Sequence, residues 1–165
     1  MHAVKARAYA MQGDAAACGH QIELAEAAQA QAATQPLGGW QDTVATEAQL
    51  AAGTGHAAAT LARRTGSVVD RKDAQQRLGR AIDLLDPAGH ARAAALAMAQ
   101  LATLHLEAGE LDQGVSWARK VLSLAGGVRS FRLSEHMATV RTVAKSQAKH
   151  PQVKQVLLDE SAERP

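Results

Sequence analysis

Aromatic side chains make up only 2% of the sequence, cysteine occurs once, and β-branched or aromatic runs are nearly missing. Without such runs a pleated sheet has little to pack, so strands are excluded as the main element. The single Cys18 rules out an internal disulfide framework and suits a reducing compartment. No stretch of 18 apolar residues and no basic-then-apolar leader is present, so neither a membrane span nor a secretory signal is expected. The expected location is cytoplasmic.

Chemistry is also sparse. There is no Gly-x-Ser-x-Gly elbow and no phosphate loop ending in Gly-Lys-Ser/Thr, and Gly53-Thr54-Gly55 lacks the third glycine and preceding strand of a dinucleotide loop. The histidines (His2, His20, His56, His90, His105, His136 and His150) never fall three or four apart, so no two share a local helix face as a metal pair would. Cys18 has no neighbouring base to lower its pKa and reads as a small residue at a helix contact. No catalytic residue, metal or cofactor is assigned, and an enzyme is not expected.

What remains is a chain of 165 residues, enough for one domain with a sizeable core, of which 47% is hydrophobic and 38 residues are alanine. Alanine-lined helices approach closely and bury little area each, so an all-α fold built from many shallow contacts follows. Net charge is +2, but residues 1–66 sum to −1 and residues 67–165 to +3; within the latter, 128–154 carries +5. Arg141, Lys145 and Lys149 fall at i, i+4 and i+8, which predicts a basic stripe on one helix face. A solvated outer face is the simpler reading of it, against a site for an acidic partner or phosphates.

The clearest organisation lies between Ala91 and Leu124, where two helical patterns flank Ala108-Gly109-Glu110. Leu101, Leu104 and Ala108 fall on one stripe, and Leu111, Val115, Ala118, Val121 and Leu122 on the next. Gly109 stands where a helix C-terminus often needs positive φ. Elsewhere the patterns predict a helix from Ala3 to Met11 and a second, capped by Asp14, to Ala33. A Pro/Gly break follows at 34–39. Trp40 to Ala52 is then ended by Gly53-Thr54-Gly55, and His56 to Thr65 is a separate helix. Asp70 is predicted to cap Arg71–Leu85, Asp86-Pro87 to start the central pair, and Gly126-Gly127 to close it. Ser130 should cap a helix carrying Leu133, Met137, Val140 and Ala144, and His150-Pro151 a terminal helix with Val153, Val156, Leu157 and Leu158.

A hairpin of this kind has one apolar stripe too many to hide alone, so a repeat is sought. Ala6, Tyr9, Gly13, Asp14, Ile22 and Ala25 match Ala102, His105, Gly109, Glu110, Ala118 and Val121 at identical spacings. The block LATLHLEAGELDQGVSWARKVLSLA resembles a tetratricopeptide repeat. Leu101 and Ala102 hold the Leu-Gly/Ala place, His105 the usual aromatic place and Gly109 the turn, while Gly114 and Ala118 depart from the pattern. The continuation through SLAGGVRSFRLSEHMATVRTVAKSQAKHPQVKQVL is similar to the C-terminal end of bacterial helix-turn-helix (Xre-type) transcriptional regulators, in which such an array follows a DNA-binding domain. Here Met1 falls almost inside the first repeat helix, so the resemblance is to the array without that domain.

The resemblance implies a tetratricopeptide-like α-solenoid of about eight helices with a C-terminal cap helix, forming one domain over 1–165. Its parts would be a first pair at 1–33, a degenerate pair at 40–65, a helix plus the central repeat at 70–125, and C-terminal helices at 130–158. By the family's geometry, Gln100, Thr103 and Glu107 would line the concave face, joined by Arg141, and contact a protein or peptide segment or a small signalling ligand. The implied function is the sensor or interaction part of a transcriptional regulator, with a free-standing adaptor as the alternative. DNA would be met only through a separate helix-turn-helix domain, no membrane is involved, and a homodimer would cover apolar surface left on the end repeats.

Overall fold

Three glycines with positive φ organise the computed structural model, which describes residues 1–33, 43–85, 87–125 and 130–155. Gly13 (φ 80°), Gly66 (φ 69°) and Gly109 (φ 78°) each end one helix, and the next begins two residues later. The helices are α1 (His2–Gln12), α2 (Ala15–Ala33), α3 (Thr43–Thr65), α4 (Val68–Leu84), α5 (Pro87–Glu107), α6 (Leu111–Ala125) and α7 (Phe131–Ser146), with a last helical stretch over 151–155. The fold is all-α, with no strand among the described residues.

The first and third turns are built alike. Gly13 N–H donates to Ala10 O and Asp14 N–H to Tyr9 O, each at 3.1 Å; Gly109 N–H donates to Leu106 O (3.2 Å) and Glu110 N–H to His105 O (2.9 Å). That paired pattern satisfies two helix-end carbonyls and requires a residue that tolerates the left-handed region, which glycine does without a Cβ clash. The matched sequence positions also share an environment: Ala6 and Ala102, Ile22 and Ala118, and Ala25 and Val121 are all buried. The middle turn uses the simpler single bond, Gly66 N–H to Ala62 O at 2.9 Å.

The chain divides into two compact units, Met1–Asp86 and Pro87–Pro165. In the first, α1 packs on α2 and α3, α2 on α3, and α3 on α4. Ala6, Ala10, Cys18, Ile22, Ala57 and Leu61 form one core cluster, against which the half-buried Tyr9 rests. In the second unit α5 packs on both α6 and α7, and Leu133, Met137, Val140 and Ala144 are the buried face of α7. A buried methyl-sized group stabilises by about 0.8 kcal/mol, so these alanine cores depend on the number of contacts and on how closely the helices approach.

Three expectations are corrected. Gly53-Thr54-Gly55 does not break the chain: α3 runs unbroken from Thr43 to Thr65, so 40–65 is not a helix pair. The glycines serve close approach instead. A Cβ on Gly55 would lie 3.0 Å from Leu78 Cδ2 and 3.2 Å from Leu78 N, and one on Gly53 3.4 Å from Ala3 Cβ. Second, the cap of α4 is Ser67, whose Oγ accepts from Asp70 N–H at 3.2 Å, and the helix starts at Val68 rather than Arg71. Third, α7 ends at Ser146, so Lys149 does not extend an Arg141–Lys145 stripe on one helix.

Other expectations hold. Asp14 Oδ1 caps α2 by accepting from Ala17 N–H at 2.9 Å, Pro87 opens α5, and Ser130 Oγ accepts from Leu133 N–H at 3.4 Å. The 34–39 break, Trp40, the Asp86 cap, Gly126-Gly127 and Val156–Leu158 lie outside the described residues.

Gly114 makes the closest approach among the described glycines: a Cβ there would stand 2.6 Å from Leu106 Cγ and 2.7 Å from Leu106 Cδ2. Gly114→Ala is therefore expected to destabilise by about 1–3 kcal/mol through overpacking, despite better helix propensity. Gly79, in α4, faces no atom within 4 Å, so Gly79→Ala should stabilise by about 0.5–1 kcal/mol. Thermal melts of both variants check this, with shifts of opposite sign and about 2–4 °C per kcal/mol.

Candidate functional site

α2, α3 and α4 each turn one face toward a common groove of about 510 Å³ in the first unit. Glu47, Leu50, Ala51 and Thr54 form its floor on α3; Glu26, Gln29 and Ala30 its α2 wall; and Asp73, Gln76, Arg77 and Arg80 its α4 wall. Spacings of three, four and seven place each set on a single helix face. Continuity of α3 through Gly53 and Gly55 is what carries Thr54 onto the same face as Glu47. The hydroxyl of the buried Thr54 donates back to Leu50 O at 3.0 Å, so it adds shape rather than an unmet polar group.

Charges cross the groove. Arg77 Nε donates to Asp73 Oδ2 (2.8 Å) and Oδ1 (2.9 Å) one turn away, while its Nη1 pairs with Glu26 on α2. Arg80 Nη2 donates to Glu47 Oε1 at 2.7 Å, tying α4 to α3. Burial works against the Arg77 charge, but the hydrogen bonds to Asp73 and Glu26 outweigh it and hold the guanidinium more firmly protonated than a free arginine. With Leu50, Ala30 and Ala51 supplying apolar surface and Gln29 and Gln76 supplying amides, the groove offers both grip and hydrogen bonding. Such a surface suits recognition.

The four residues singled out by sequence lie elsewhere, in the second unit. Thr103 is only 3% exposed and Gln100 9%. Thr103 Oγ1 donates to Ala99 O at 3.0 Å and Gln100 Nε2 to Leu96 O at 3.2 Å, so both point polar atoms back at their own helix. Of the three on α5, Glu107 alone is exposed; Arg141 is half-buried on α7. The expected open face of α5 is thus not present at Gln100 and Thr103, because α6 and α7 both pack on that helix. His105 does sit buried at the hairpin, its Nδ1 2.5 Å from Glu110 Oε2. Trp117 is half-buried with Lys120 Nζ 3.9 Å from its ring centre.

Cys18, in the core beside the groove's α2 wall, is fully buried. Burial first, then the carboxylates of Asp70 and Asp73, push its thiol above the ordinary value of 9.0; Arg77 opposes them and Asp14 adds to them. No described helix is long and apolar enough to cross a membrane. Compared with known proteins, the chain matches no family model, no curated protein and no solved structure.

Three outcomes follow. In a double-mutant cycle, Glu26→Gln and Arg77→Gln should couple by about 0.5–1 kcal/mol, and added salt should shrink that value because both groups are partly exposed. The native thiol should resist aromatic disulfide reagents at pH 8 and react fully once the chain is unfolded, since only the thiolate attacks. Native Cys18 holds its proton more tightly than the unfolded thiol, so its contribution is complete below pH 9.0 and declines above it. Urea titrations of wild type and Cys18→Ala should therefore converge as pH rises past that value.

Proposed function

We propose that this chain is a tetratricopeptide-like helical-repeat binding module that receives an extended peptide segment in the α2–α3–α4 groove. The observation that carries the reading is the groove itself: an open cleft of about 510 Å³ with an aliphatic floor and charged, amide-bearing walls. No group in it is poised for covalent chemistry; its carboxylates and guanidinium groups hold one another. A solenoid arrangement is supported by the three glycine-turn hairpins and by packing within each unit. In both, the first helix of a hairpin packs on its own partner and also on the helix that opens the next element, α1 on α3 and α5 on α7. Stacked hairpins with local contacts are the pattern of repeat proteins.

Within this reading the module is the interaction part of a transcriptional regulator, with DNA contacted through a separate helix-turn-helix domain. Support comes from the resemblance of the C-terminal continuation to such regulators, whose arrays often end in a Ser-Arg-like turn, an Arg-containing helix and a last short helix; Ser130, α7 with Arg132 and Arg141, and the helical stretch 151–155 follow one another in that order. Its setting would be cytoplasmic and its chemistry non-catalytic.

The test is to pan a random heptapeptide phage library against the immobilised full-length chain and measure the enriched peptides by fluorescence anisotropy. Ala51→Arg, which fills the groove floor, should weaken them by about tenfold or more, roughly 1.4 kcal/mol, while leaving the melt near that of wild type. No enrichment, or equal binding by Ala51→Arg, removes the groove as the working site. For the regulatory half, a helix-turn-helix coding sequence in frame with Met1 or in an adjoining gene supports it; neither one leaves only the binding module.

A further inference from the structure

The groove between α2, α3 and α4 holds more negative charge than its own arginines balance. Its lining carries three carboxylates, Glu26, Glu47 and Asp73, against two guanidinium groups, Arg77 and Arg80. Helix α2 contributes no Lys or Arg. The side chain of Arg77 is only 24% exposed, whereas those of its partners Asp73 and Glu26 are 47% and 49% exposed. The cation therefore sits deeper than the anions. Asp73 engages both oxygens with Arg77 Nε. Glu26 and Glu47 engage one each: among the described residues, Oε1 of Glu26 accepts from Arg77 Nη1 and Oε1 of Glu47 from Arg80 Nη2. A carboxylate has about four acceptor positions, so Oε2 of each glutamate can still accept. Arg77 and Arg80 are surface neighbours on α4, which draws the two glutamates they hold to the same stretch of groove.

We propose that the groove selects a peptide carrying an arginine side chain, whose guanidinium donates to Oε2 of Glu26 and of Glu47. This rests on the groove being a peptide site and adds what that peptide must contain. The floor agrees with it. Leu50 and Ala51 offer aliphatic surface, along which an arginine stem lies while its charged head reaches the carboxylates. A planar guanidinium with several donors serves two carboxylates at once, which the compact ammonium of lysine does less well. The amides of Gln29 and Gln76 are left for the peptide main chain. An acidic peptide fits poorly. Three carboxylates would face it, and of the two cations Arg77 is already shared by Asp73 and Glu26.

The probes are the heptapeptides enriched on the immobilised full-length chain. Their sequences should share an arginine, and replacing it with glutamine in the synthetic peptide should weaken binding by about tenfold in fluorescence anisotropy. Glu26→Gln with Glu47→Gln should erase the difference between the arginine and glutamine peptides, while the glutamine peptide binds as it does to wild type. Glu47→Gln alone should reduce the difference severalfold. Its partner Arg80 is 70% exposed, so this single variant keeps the test decisive if the double variant folds poorly. Enriched peptides without arginine, a preference for Asp or Glu, an unchanged difference in either variant, or displacement of the peptide by equimolar spermidine would each overturn it. If peptides without arginine still lose affinity to Ala51→Arg, the groove remains a peptide site and only its charge preference falls. No enrichment at all removes both.

Discussion

Reversal of the chain at a left-handed glycine is the constraint on which the rest of this structure depends. At Gly13, Gly66 and Gly109 the backbone enters a region that a Cβ makes costly, by about 1 kcal/mol or more. Each then restarts a helix two residues on. A reversal that tight leaves the two helices of a hairpin no freedom to stand apart, so their facing residues must be small. Gly55 therefore meets Leu78 across the α3–α4 hairpin, and Gly114 meets Leu106 across α5–α6. Alanine fills much of the remaining contact surface. The glycine turns and the alanine-rich composition are two expressions of one geometry.

The groove follows from the same geometry. Both α2 and α4 pack on α3, and where their surfaces diverge, the α3 face from Glu47 to Thr54 lies open between them. Short side chains do not span such a gap. The long ones do, and Arg77 reaches from α4 to Glu26 on α2 while remaining anchored to Asp73. An ion pair of partly exposed groups contributes modestly to stability, so the Arg77–Glu26 pair bridges two walls that are positioned by their packing on α3.

Much of the fold was legible. The hairpin at Gly109 and its echo at Gly13 could be read because both carry glycine after an apolar stripe, and their hydrogen bonds prove identical in pattern. Cys18 and His105 were legible as contact residues for the same reason. The glycines of α3 were misread, since glycine marks either a turn or a close approach, and only the position of Leu78 distinguishes the two. With a helix ended at Ala52, Thr54 could not be placed on the face that Glu47, Leu50 and Ala51 share. The i, i+3, i+4, i+7 series of Asp73, Gln76, Arg77 and Arg80 was visible in the sequence but lay on the polar side of a helix read for its apolar one. Gln100 and Thr103 failed differently, because burial of α5 by α6 and α7 is a tertiary fact that helical periodicity does not contain.

Alanine-lined contacts also explain why surface features deserve weight in this molecule. A core that stabilises in increments of about 0.8 kcal/mol per buried methyl has little reserve against conformational entropy, so a large aliphatic side chain would be worth more inside than out. Yet Val4 and Met11 stand outside on a helix whose inner face is alanine. The tight hairpin makes that arrangement necessary in part, since neither side chain fits where Ala6 and Ala10 touch α2 and α3. The outer face of α1 thus carries the aliphatic side chains for which its alanine-lined inner contact leaves no room.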